Sequence, residues 1–130
     1  MLENEHNAAH LLRDGFDARW NDDGHNTLHV LLTGETQGYY EDFADEPMER
    51  LRRGLAEGFI YQGEPSRHAG GTARGEPSAD LPPLAFVDFL QNHDQIGNRA
   101  FGDRLAATLP TPRLRAALAL TALTPMVPLF

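Results

Sequence analysis

The chain has 130 residues and a formal net charge of −8 at pH 7, with 19 Asp and Glu against 11 Lys and Arg. A phosphate-binding surface needs clustered basic residues; the one cluster, Arg50, Arg52 and Arg53, shares its segment with Glu46, Glu49 and Glu57 and reads as a solvated helical face, so no nucleic-acid partner is expected. The lack of cysteine excludes disulfides and thiolate chemistry and fits a reducing cytoplasmic setting, and the most apolar stretch, 114–130, is interrupted by Arg115, Pro125 and Pro128, so no membrane span is expected.

In chain order, residues 7–13 predict a short helical turn closed by Asp14-Gly15, and residues 16–20 read as a strand. Asp22 or Asp23 caps a helix whose apolar face is Leu28, Val30, Leu31 and Leu32 and which Thr33-Gly34 ends. Gly38-Tyr39-Tyr40 reads as loop. Glu46-Pro47 opens an amphipathic helix with Met48, Leu51, Leu55 and Phe59 on one face and Gly58 at its end. Residues 63–83 predict a long Gly- and Pro-rich loop; Gly-Glu-Pro-Ser occurs in it twice, but no period or apolar face makes a structural repeat. Phe86 to Leu90 is too short for a typical helix and predicts a buried strand. Helical structure within 100–109, an Ala/Leu helix over 114–123 and a strand beginning at Val127 follow. This alternation predicts an α/β fold with a parallel sheet and right-handed crossovers.

The stretch Phe86-Val-Asp-Phe-Leu-Gln-Asn-His-Asp-Gln-Ile-Gly-Asn-Arg99 changes character in mid-course, from apolar to a run that donates, accepts and ionises. A buried strand ending in Asn92, His93 and Asp94 suits the carboxyl end of a barrel, where βα loops carry catalytic groups. Equally, Asp94 can simply cap a helix, with His93 bonded to a backbone carbonyl.

Asn92-His93-Asp94 after an apolar strand resembles the strand-seven motif of the α-amylase superfamily of glycoside hydrolases, and Gln91 to Arg99 as a whole is similar to maltooligosyltrehalose trehalohydrolases. Three further blocks resemble that family in the same order: Leu2-Glu-Asn-Glu-His-Asn7, Trp20-Asn-Asp-Asp23 running into Leu28-His-Val-Leu-Leu-Thr-Gly-Glu35, and Tyr61-Gln-Gly-Glu-Pro-Ser66. The resemblance implies a partial TIM (β/α)₈ barrel, roughly strands five to eight with their helices, because 130 residues fall far short of the ~250 of a closed barrel. A missing N-terminal half of the barrel is the implied partner. An open half-barrel would expose strand edges and apolar faces, so self-association is expected without that half. Residues 63–83, a helix-to-strand connection, are then expected opposite the catalytic face and are assigned no chemistry.

The implied reaction is retaining cleavage of the α-1,4-glucosidic bond next to a terminal trehalosyl unit of a maltooligosyltrehalose-type oligosaccharide, releasing trehalose, with no cofactor and no metal. Glu3 matches the general acid, Glu5 being its competitor two residues on, and Asp94 matches the additional carboxylate. His93, Asn92, Gln95 and Arg99 are candidate substrate ligands, the last two alternatively holding the loop. Trp20 either stacks on a glucose ring or fills the core. Asp22 and Asp23, with Asn21, either bind hydroxyls or cap the following helix. His25 stands in a block where the family shows Phe-His-His and this chain reads Gly24-His25-Asn26; Arg19 replaces an expected Gln, and His29 reads as structural. The family's nucleophile sits in an Arg-x-Asp motif, and this chain contains none, so no turnover by it alone is expected. The alternatives are a glucan transferase such as a branching enzyme, a metal-dependent phosphohydrolase built on His93-Asp94, and a non-catalytic carbohydrate-binding piece.

Overall fold

The computed structural model describes residues 6–130, so Glu3 and Glu5 lie outside the described residues. The chain runs through α1 (Ala9–Arg13), β1 (Arg19–Trp20), α2 (Asp22–Thr33), a 3₁₀ segment (Gly38–Phe43) and α3 (Pro47–Glu57). It continues through β2 (Gln62–Pro65), β3 (Ala73–Gly75), a 3₁₀ turn (Pro83–Ala85), β4 (Phe86–Phe89), α4 (His93–Gly97), α5 (Leu105–Thr108), α6 (Thr111–Leu123) and β5 (Val127–Leu129). Strands β1, β4 and β5 form one sheet in that order, both pairings parallel, with Trp20 opposite Val87 and Val87 opposite Val127. Sequential strands are therefore spatial neighbours running the same way, and all their carboxyl ends lie at one edge.

Local chemistry explains the boundaries. The Asn21 side chain caps α2 by accepting from Gly24 N at 3.3 Å and also donates to Asp88 Oδ1 on β4 at 2.9 Å, so the helix start is tied to the central strand. The cap is thus Asn21 rather than Asp22 or Asp23. Gly34 (φ 76°) ends α2 in the left-handed region. The expected strand over 16–20 contracts to two residues, and Phe16 is left 45% exposed.

Every residue of β4 is buried, as expected of a parallel strand covered on both faces. Phe86 meets Phe59 edge-on at 5.0 Å, with Ala9, Leu12 and Met126 around them. A second cluster joins Val30, Phe43, Ile60 and Tyr61, and a third joins Leu90, Leu105 and Ala117. Phe59, expected on the face of α3, lies beyond its end, while Met48 is exposed. Arg19 is wholly buried with its guanidinium 4.7 Å above the Phe59 ring, and burial pulls its pKa down.

Gly58, at the end of α3, has φ 89°, and a Cβ there would lie 2.2 Å from Cζ of Phe86. Gly58→Ala is expected to destabilise the chain by about 2–4 kcal/mol, combining overpacking with left-handed strain. Urea denaturation checks this, and Phe86→Leu added to Gly58→Ala should recover part of the loss.

The expected loop over 63–83 is instead partly ordered into the antiparallel hairpin β2–β3, with a register irregularity at Gly63. Its strands carry almost no apolar residues, which is why periodicity did not reveal them. Among the described residues no helix is long and apolar enough to cross a membrane.

Candidate active site

Asp22 follows β1 by two residues and Asp94 follows β4 by five, so both leave the same edge of the sheet. Both line one cavity of about 540 Å³, together with His6, Asn26, Tyr39, Gln95 and Asn98. The far wall is the hairpin, from Ser66 through Arg74 to Gly75. Residues 66–75 of the stretch expected opposite the carboxyl edge of the sheet thus lie at that edge. Two carboxylates draw the hairpin there: Ser66 Oγ donates to Asp42 Oδ2 at 2.6 Å, and Arg74 Nη2 donates to Asp23 Oδ1 at 2.6 Å.

The segment after β4 is a capped turn as well as a cavity wall. The Asn92 side chain accepts from Asp94 N at 2.8 Å, and the Gln95 side chain accepts from Asn92 N at 2.9 Å, a reciprocal capping box that opens α4. Asn92 and Gln95 thus hold the turn that presents His93 and Asp94. Those two side chains stand out from it, 71% and 59% exposed, with His93 Nε2 3.5 Å from Asp94 Oδ1.

Arg99 holds the same region from behind. Its guanidinium donates to both oxygens of Glu35, at 3.0 and 2.6 Å, and Glu35 Oε2 also meets His29 Nε2 at 2.8 Å. The Arg99 hydrogen bond pulls the Glu35 carboxyl down to about 2. Arg99 is thereby committed to the loop, and it lies in a neighbouring groove with Arg104 and Arg113 rather than in the cavity.

Three expected substrate ligands take part in packing, Asp23 and His25 buried and Trp20 half-buried. Trp20 stands edge-on to Phe89 at 5.0 Å and does not line the cavity. Asp23 is fully buried and accepts from Asn7 Nδ2, Ile60 N, Tyr61 N and Arg74 Nη2 at 2.6 to 2.9 Å, which leaves no room for a hydroxyl. His25 is 1% exposed and stacks on Phe89 at 5.1 Å with a 9° interplanar angle. Neither His25 ring nitrogen has a well-formed hydrogen bond, the Leu90 backbone offering only a weak interaction.

Burial drives the His25 pKa from 6.5 down to about 3. The unfolded chain takes up a proton near pH 6.5 that the folded chain refuses until about pH 3, so the stability held by neutral His25 is complete above 6.5 and is lost as pH falls towards 3. His25→Phe, which keeps the stack and cannot ionise, is expected to flatten the stability profile between pH 6.5 and 4.5. An unchanged slope in chemical denaturation across that window would reject this origin. Glu35 acts in the same direction lower down, its contribution fading from pH 4.5 towards 2.

The hairpin, Asn26, Tyr39 and His6 are cavity residues that sequence reasoning did not select. Gly70-Gly71, both at positive φ, was the available turn signal. Among the described residues no group of three or more His, Asp or Glu side chains forms a metal site.

No protein-family model matches the chain. A solved structure does: a Salmonella typhimurium protein provisionally assigned as an alpha amylase superposes with a TM-score of 0.89 at 52% identity, over 95% of this chain and 22% of that one. The chain therefore has an α-amylase-like α/β fold, with acidic side chains gathered at the carboxyl edge of its parallel strands. Among curated proteins it is a relative of the malto-oligosyltrehalose trehalohydrolases. It is 42% identical to that of Rhizobium sp. (strain M-11) over 88% of this chain and 19% of the relative, and 40% identical to that of Saccharolobus solfataricus over 87% and 20%. The Arthrobacter ramosus protein matches 99% of the chain at 38% identity. The chain thus spans about a fifth of the length of the curated relatives it matches.

Proposed function

We propose that the chain carries the acid half of the active site of a retaining glycoside hydrolase that cleaves the α-1,4 bond beside a terminal trehalosyl unit of maltooligosyltrehalose, a step of trehalose biosynthesis in the cytoplasm. The observation that carries the reading is the shared cavity: His6, three positions after Glu3, lines it together with Asp94, although 88 residues separate them. In this reading β1, β4 and β5 are the sixth to eighth strands of a (β/α)₈ barrel, and the Glu3 block ends the fifth.

Glu3 protonates the departing glycosidic oxygen, while a carboxylate supplied from outside this chain attacks the anomeric carbon from the opposite face, about 5 Å away. Glu3, now ionised, then takes a proton from water, whose oxygen displaces the enzyme carboxylate and restores it. Asp94 carries the negative charge that favours the oxocarbenium-like transition state, and His93 donates to a hydroxyl of the same sugar. Asn92, Gln95 and Arg99 serve by holding the turn, and Asp22 faces the cavity as a hydroxyl acceptor.

The test is a hybrid in which this chain replaces the matching segment of the Rhizobium relative. With maltooligosyltrehalose, release of trehalose supports the reading. Elongated or branched glucans without trehalose identify a transferase, and binding without any product identifies a non-catalytic carbohydrate site.

A further inference from the structure

We infer that Glu35 is a positioning residue, which through Arg99 fixes the far end of α4 and so the place of Asp94 over the cavity. The inference rests on the reading of Asp94 as the carboxylate beside the transition state. The geometry that carries it is a five-residue helix, His93–Gly97, none of whose residues is buried. A helix of little more than one turn does not hold itself, and this one has no buried face to dock it. Its position therefore depends on its two ends.

The leading end is closed by the capping box of Asn92 and Gln95. The far end continues into Asn98, whose N–H donates to the Asp94 carbonyl at 2.9 Å, and Arg99, whose N–H donates to the Ile96 carbonyl at 3.2 Å. Arg99 then donates from Nη1 and Nη2 to the two oxygens of Glu35, at 3.0 and 2.6 Å. A two-pronged guanidinium–carboxylate pair fixes direction as well as distance, which a single ion contact does not. Glu35 is itself aimed from behind. Thr33 Oγ1 donates to the His29 carbonyl at 2.8 Å and accepts from Glu35 N at 3.1 Å, and Gly34 turns the chain at φ 76°. His29 Nε2 meets Glu35 Oε2 at 2.8 Å, while its ring is stacked on Tyr40 at 4.2 Å and 11°. The block Leu28 to Glu35 resembles the glycoside hydrolases in sequence yet supplies no residue to the cavity. Its role is to anchor the α4 turn from the neighbouring groove.

An ion pair as exposed as this one adds little to global stability, so a positioning role separates from a structural one. In the hybrid, Glu35→Gln, which keeps an acceptor for His29, and Arg99→Gln are each expected to lower kcat by about tenfold with KM within about twofold. The double variant should fall no further than about tenfold, because both changes break one tie, whereas independent effects would multiply to about a hundredfold. Multiplying effects, a rise in KM at constant kcat, or no change in either constant would each overturn the inference. A second measurement is independent of activity. In the chain itself, nitrogen-15 relaxation should show the backbone order parameters of Asn98 and Arg99 falling from about 0.85 to below about 0.6 in Glu35→Gln. They should stay high in Glu49→Gln, which breaks an exposed ion pair on α3. Unchanged order at Asn98 and Arg99 in Glu35→Gln overturns the positioning role. An unmodified hybrid that releases no trehalose would count against the hydrolase reading alone, leaving the relaxation result to decide on the positioning.

Discussion

Asp23→Ala is expected to cost the chain about 3–5 kcal/mol, the range found when one partner of a buried charged network is removed. The substitution strands three N–H donors, from Asn7, Ile60 and Tyr61, inside the protein, and it deprives Arg74 of its shorter ion pair. Each stranded donor carries a desolvation penalty of about 1–3 kcal/mol. Relaxation around Asn7 and the remaining Asp42 contact of Arg74 keep the total below their simple sum. A domain of this size has only about 5–15 kcal/mol to lose, so Asp23→Ala should be largely unfolded at modest urea concentrations at which the parent chain is intact. Asp23→Asn, which keeps one acceptor oxygen, should lose less. A midpoint for Asp23→Ala close to that of the parent would mean that the four hydrogen bonds do not hold these segments together.

The largest kinetic effect is expected at Glu3. In the hybrid enzyme, Glu3→Gln removes the proton donor and should lower kcat by about 10²–10⁴-fold. Asp94→Asn removes only the charge beside the transition state and should lower it by about 10²–10³-fold. A substrate whose leaving group needs no protonation, such as an activated aryl glycoside, should rescue the first cleavage step of Glu3→Gln and leave Asp94→Asn impaired. The isolated chain should show no turnover above its own Glu3→Gln variant, because it contains no Arg-x-Asp segment to supply a nucleophile. Activity of the isolated chain above that control would refute the division of roles.

The two predictions rest on residues that differ in how readily they could be read. The apolar-to-polar contrast left Asp94 open between a catalytic group and a helix cap, and the resemblance of Asn92-His93-Asp94 to the strand-seven motif decided between them. The contrast itself survives folding, since β4 is buried throughout and Asp94 stands out beyond it. Asp23, with Asn21 and Asp22, stood in the sequence either as a hydroxyl ligand or as a cap of the following helix. Neighbours in sequence, Asp22 and Asp23 diverge in space, since successive residues at the start of a helix point about 100° apart. Asp22 faces the cavity and Asp23 faces inward. His25 followed Asp23 into the interior for a related reason, finding the Phe89 ring of a strand 60 or more residues away, and Trp20, half-buried, meets the same ring edge-on.

What the amino-acid sequence determined by itself is the order and kind of the main elements, because hydrophobic period, capping residues and turn glycines act over a few neighbouring positions. Tertiary structure alone decided which acids reach solvent and which are consumed in the interior, and it brought the polar hairpin round to the cavity. Those outcomes depend on hydrogen bonds between residues 16 to 54 positions apart, such as Asn7 with Asp23, Arg74 with Asp23, and Asn7 with Tyr61, and no local pattern encodes a partner at that distance.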